Sequence, residues 1–130
     1  MAVAFKKSVR VEEFTQALAW MLYILEQVSR IHPSFPNPIV VTSIDDGKHS
    51  TNSKHYKGEA LDIRTHNFED TMSKRVFMNT YLRELNKHPE AAETDKFIIL
   101  HESIGTPNEH FHVQVKKGMT YGVASKTSKD

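Results

Sequence analysis

The chain has 130 residues, no cysteine, eight histidines, and 17 lysines and arginines against 16 aspartates and glutamates, for a formal charge of +1. That length suits one domain with its own core, and the missing cysteines exclude disulfides, thiolate zinc sites and cysteine nucleophiles. The near-neutral balance, without a basic stripe interleaved with aromatics, argues against nucleic acid as a partner, and no apolar run approaches the roughly 18 residues of a membrane span.

The first ten residues, MAVAFKKSVR, lack the continuous apolar stretch of a signal peptide. The expectation is a protein made in the cytoplasm, acting elsewhere only if carried or released, with no membrane insertion. Val11, Phe14, Leu18, Met21, Leu22, Leu25 and Val28 recur at three- and four-residue intervals, which predicts a helix from about Glu12 to Ser29. Trp20 and Tyr23, beside that stripe, read as packing residues. Residues 31 to 38 hold three of the five prolines and form a connector.

Ile39 to Ser43 is a short β-branched run and reads as a strand. A long polar stretch from Ile44 to Glu59 follows, with turn chemistry at Asp45-Asp46-Gly47, and a loop of that length inside a small domain usually has a function. Gly58 supplies a position free of Cβ. The next strand is expected at Ala60 to Arg64, with Leu61 and Ile63 toward the core and Ala60, Asp62 and Arg64 on the other side.

A second helix is predicted from about Phe68 to Asn86, capped by Asn67, with Phe77, Tyr81 and Leu85 on one face and His88-Pro89 ending it. Lys96 to His101 and Phe111 to Val115 read as an antiparallel pair joined by the turn chemistry of Gly105 to Asn108. In the last strand Phe111, Val113 and Val115 face the core, so His110, His112 and Gln114 share the opposite face. The expected fold is α+β: a small antiparallel sheet with helices packed on one side, a single domain over residues 1–117, and a polar tail over 118–130.

Two blocks carry chemistry. Ser53-Lys54-His55-Tyr56-Lys57-Gly58-Glu59-Ala60-Leu61-Asp62 and Glu109-His110-Phe111-His112 contain the donors of an open zinc site, which takes three His, Asp or Glu ligands, leaves one position for water and keeps a separate carboxylate for the proton. His55, Asp62 and His112 fit the ligands, and Glu109 fits the base. Taken singly, each residue also has an ordinary reading: a loop histidine is usually solvated, and alternating histidines are the normal wet face of a strand. His32, His66, His88 and His101 read as solvated or capping residues.

Ser53-x-His55-x-x-Gly58-x-Ala60-x-Asp62 with Glu109-His110-x-His112 resembles the signature of the zinc D-Ala-D-Ala peptidases of the lysostaphin, D-Ala-D-Ala metallopeptidase and sonic hedgehog superfamily, in particular its short phage-type peptidoglycan peptidases. The likeness extends over roughly residues 39 to 115 and includes Val41-Thr42-Ser43, Asp46-Gly47-x-His49 and Asp62-Ile63-Arg64-Thr65. It implies a hedgehog or DD-peptidase-like fold and a Zn2+ ion on His55, Asp62 and His112. It also implies Glu109 as the base and His110 as the histidine beside the metal that steadies the reacting carbonyl oxygen.

The implied activity is hydrolysis of the peptidoglycan stem peptide, as an L-Ala-D-Glu endopeptidase or a D-Ala-D-Ala carboxypeptidase, in an endolysin or other wall-lytic enzyme. Many carboxypeptidase members place an Arg ahead of the first block to hold a substrate carboxylate. Residues 42 to 53 contain none, only Lys48 and His49, which leaves Arg64, His49 and Ser53 as substrate-binding candidates. Ser53 is also placed to position His55. The alternative is a non-catalytic zinc-binding interaction or virion structural domain of the same fold, against which the presence of Glu109 argues, because a structural zinc site has no use for a base.

Overall fold

The computed structural model describes residues 3–11, 14–44, 59–88 and 96–116. The elements in chain order are β1 (Val3–Phe5), α1 (Gln16–Val28), β2 (Ile39–Ser43), β3 (Ala60–Arg64), α2 (Thr71–Leu85), β4 (Phe97–Glu102) and β5 (His110–Val115). The five strands form one sheet in the order β1-β2-β3-β5-β4, so the fold is the expected α+β. The sheet is mixed rather than wholly antiparallel: β1, which the sequence did not announce, pairs parallel to β2 at one edge. The other pairings are antiparallel, and β5 lies between β3 and β4.

Alternation along the strands sorts the two faces of the sheet. Val41, Leu61, Ile63, Phe97, Phe111, Val113 and Val115 are buried in one cluster with Leu18, Met21 and Leu25 of α1 and Phe77, Tyr81 and Leu85 of α2. Phe111 stands at the centre of its aromatic part, with the rings of Phe68 and Phe77 5.7 and 5.5 Å from it. Tyr81 Oη donates to Met21 O at 2.7 Å and Trp20 Nε1 donates to Leu85 O at 2.9 Å, which locks the two helices together. Trp20 is thus a packing residue as expected, whereas Tyr23 is 57% exposed. Ala60 shares the parity of Asp62 and Arg64, yet it is fully buried.

Both helices begin later than their hydrophobic periodicity suggests, and capping is the reason. Thr15 accepts from Leu18 N at 3.0 Å and starts α1, leaving Val11 and Phe14 exposed outside it. Asp70, not Asn67, caps α2: its carboxylate accepts from Ser73 N at 2.8 Å while Ser73 Oγ accepts from Asp70 N at 3.3 Å, a reciprocal box. Asn67 instead donates to Pro38 O at 3.3 Å, and Phe68 is buried in the turn ahead of the helix. Among the described residues no helix is long and apolar enough to cross a membrane.

Candidate metal centre

Strand pairing sets the geometry of the site. On the face away from the helices, Asp62 of β3 stands directly opposite His112 of β5, and Arg64 stands opposite His110. Across β5 the same rows continue to Leu100 and Glu102 of β4. Residues paired across a sheet hold their Cβ atoms about 5 Å apart. A carboxylate and an imidazole in that relation meet without any loop having to bring them together.

Asp62 Oδ1 lies 2.9 Å from His112 Nδ1, with the two side chains only 17% and 14% exposed. On the other side of the ring, His112 Nε2 lies 2.7 Å from Gln114 Oε1. Burial works against the charged ring, but the hydrogen bonds to Asp62 and Gln114 outweigh it, and the His112 pKa lies above its ordinary value.

These donors fit a zinc ion. Asp62 and His112 are the carboxylate and imidazole donors that zinc takes, and strand pairing puts Oδ1 and Nδ1 side by side where both could hold one ion. With Nδ1 on the metal, Nε2 would carry the proton and donate to Gln114, the outer-shell hydrogen bond that fixes a ligating histidine in its tautomer. The third candidate ligand, His55, lies outside the described residues, as do His49, Ser53, Gly58 and the 118–130 tail. Among the described residues no three His, Asp or Glu side chains form a metal-holding group, so the described part of the centre is the Asp62–His112 pair.

His110 occupies the next row. Its Nε2 lies 2.9 Å from Glu102 Oε1 and its Nδ1 lies 2.6 Å from Asn108 O. Both nitrogens are therefore engaged, and in this arrangement neither is left to close a metal's coordination shell as a fourth ligand. Glu102 and Gln114 are the partners that sequence reasoning missed. Both lie on the open face of the β4–β5 pair, and the alternation of β5 already placed Gln114 there.

Glu109, the expected base, is held differently. Its backbone is anchored at the mouth of the hairpin, where Thr65 Oγ1 donates to Glu109 O at 3.1 Å. Its carboxylate accepts from Lys74 Nζ of α2 at 2.9 Å, lies 2.6 Å from His101 Nε2, and takes a weaker bond from Gly105 N at 3.3 Å. Gly105 has φ +82°, a conformation that glycine adopts without strain. The His101 ring lies 4.9 Å from that of Phe111, which puts this cluster on the helix side of the sheet.

The hydrogen bond from Lys74 is the main cause holding the Glu109 carboxyl down to about 2; partial desolvation opposes it, and the bonds from His101 and Gly105 add to it. His101 is thus a hydrogen-bond partner of Glu109, 19% exposed, rather than the solvated residue its place at a strand end suggested. The structure brings Asp62 and His112 together and sets Arg64 and His110 beside them, while the Glu109 carboxylate is engaged with Lys74 and His101. The chain matches no family model, no curated protein and no solved structure.

Proposed function

We propose that this chain is a zinc-dependent peptidase acting on the stem peptide of peptidoglycan, of the L-Ala-D-Glu endopeptidase or D-Ala-D-Ala carboxypeptidase type, in the manner of a phage wall-lytic enzyme. The observation that supports it best is the cross-strand pair Asp62–His112, 2.9 Å apart on the sheet face opposite the core, with Gln114 behind the imidazole. A ligating histidine characteristically has a partner on the far ring nitrogen, as His112 has in Gln114.

Asp62, His112 and His55 would hold the ion. Zinc, when bound, supplies the Lewis acidity that lowers the pKa of water toward about 7 and polarises the peptide carbonyl. Gln114 fixes the His112 ring, and Asn108 O fixes the His110 ring at Nδ1, so to donate to the carbonyl oxygen His110 would have to release Glu102 from Nε2. Glu109 is a carboxylate at any working pH. To accept a proton at Oε1 or Oε2 it would have to loosen its contacts to Lys74 and His101, because a carboxyl held at about 2 is a weak base.

That last point favours a second reading, a metal-binding domain that engages a partner without hydrolysis, in which Glu109 serves only as the anchor between α2 and the hairpin. Digestion separates the two. Zinc-loaded protein incubated with purified peptidoglycan is expected to release fragments whose masses name the bond cleaved. Intact peptidoglycan with one zinc bound per chain would leave the partner-binding reading in its place.

A further inference from the structure

We infer that a cleft beside Asp62 is a carboxylate subsite, with Arg64 as its anchor, Lys6 as a supporting cation and His66 as a further hydrogen-bond donor. The cleft has a volume of about 240 Å³, and these three side chains line it together with Thr42, Asp62 and Glu109. The two carboxylates do not neutralise it: Asp62 is engaged by His112, and Glu109 by Lys74 and His101. Among the described residues Lys6, Arg64 and His66 have neither an ion-pair nor a side-chain hydrogen-bond partner. The three come from different places, the end of β1, the end of β3 and the turn after it, and they converge on one concavity. Solvated basic residues have no need of a shared cleft, and an unpartnered guanidinium fork is the group best shaped to take a carboxylate with two parallel hydrogen bonds.

Position suggests what carries the carboxylate. Arg64 lies two residues beyond Asp62 on the same face of β3, a displacement of roughly 7 Å along the strand. An extended peptide covers that span in about two residues. A carboxylate held by Arg64 therefore belongs to a residue close to the bond presented at Asp62 and His112. This identification of the ligand rests on the peptidase reading; the charge of the cleft does not. Two sources share the chemistry, the free C-terminal carboxylate of a stem peptide and the α-carboxylate of its D-Glu residue.

The test uses zinc-loaded full chain and four synthetic L-Ala-γ-D-Glu-L-Lys-D-Ala-D-Ala peptides: unmodified, C-terminally amidated, with D-isoglutamine in place of D-Glu, and with both changes. Affinity is read by calorimetry, or as KM where a peptide is cleaved. Amidation at one of the two positions is expected to weaken binding about ten- to hundredfold, and Arg64→Ala to cause the same loss with the unmodified peptide but no further loss with that amidated one. Arg64→Lys should recover part of the affinity, and Lys6→Met should show a smaller loss that shrinks with added salt. Thermal melting of each variant checks that it is folded. The position whose amidation matters identifies the source. Equal affinity for all four peptides, no binding of any, or an Arg64→Ala affinity within about twofold of wild type would overturn the subsite. Binding without cleavage would instead sink the peptidase reading and leave the subsite standing.

Discussion

The two faces of β5 differ by one residue of offset and by almost everything else. On the helix side Phe111, Val113 and Val115 are completely buried, and their contribution is the nonspecific free energy of apolar burial. On the open side His110, His112 and Gln114 are only partly covered; His110 and His112 contact Glu102 and Asp62, the residues that strand register sets opposite them, and Gln114 contacts His112 along the same strand. Stability resides in one set and candidate chemistry in the other, so the two should be separable by substitution even at adjacent positions.

Neighbouring substitutions give the largest expected effects. Phe111→Ala removes the ring against which Phe68 and Phe77 pack and should cost about 3–5 kcal/mol in a denaturant titration. His112→Ala should leave the metal-free fold near its original stability while abolishing zinc retention and hydrolysis, read by metal analysis after dialysis and by peptidoglycan digestion. A His112→Ala protein that keeps its zinc would break the assignment of the open face.

Glu109 tests whether the division is strict, since its backbone borders the cleft while its carboxylate is held by Lys74 and His101. Glu109→Gln should retain zinc and lose on the order of a hundredfold in hydrolytic rate. Undiminished activity would assign Glu109 wholly to the helix-side cluster.

The smallest effect sharpens the same boundary through pH. The Glu109 carboxyl titrates at about 2 in the folded chain against an ordinary 4.5, so the cluster's contribution is complete above pH 4.5, declines as pH falls, and is gone below about 2. Lys74→Met, which removes the main cause of that shift, should lower stability by about 1–2 kcal/mol at pH 6, allowing for solvent screening, with the gap closing at pH 2. A gap that stays constant between pH 6 and pH 2 would show that the ion pair is not its source.

Much of this arrangement was legible because short-range rules govern it. Period-two alternation gave the two faces of β5 and the inward Leu61 and Ile63, and four-residue spacing gave the buried Phe77, Tyr81 and Leu85. What escaped depends on choices between near-equivalent residues or on long-range pairing. Asn67 and Asp70 are both good helix caps, and only the reciprocal bond from Ser73 decides for Asp70. A three-residue strand such as β1 has too few positions to show a period, and its pairing to β2 is parallel and remote. The opposition of Asp62 and His112 requires β5 to enter beside β3, and no local pattern states that. Lys74 reaches Glu109 across 35 positions, which is why the expected base looked unencumbered in the sequence.

The place of β5 in the sheet also makes the site an all-or-none property of the fold. Asp62 and His112 are 50 positions apart, and the strand carrying His112 occupies the gap between β3 and β4. Until residues 110–115 enter that gap, β3 and β4 have no common neighbour, the open face has no continuous surface, and the ring of Phe111 is missing from the middle of the core. The pairing of β5 with β3 thus both adds Phe111 to the hydrophobic interior and brings Asp62 to His112, across a long loop whose closure costs entropy. A fragment that stops before His110 would carry half of each, and adding zinc to it could not restore the whole.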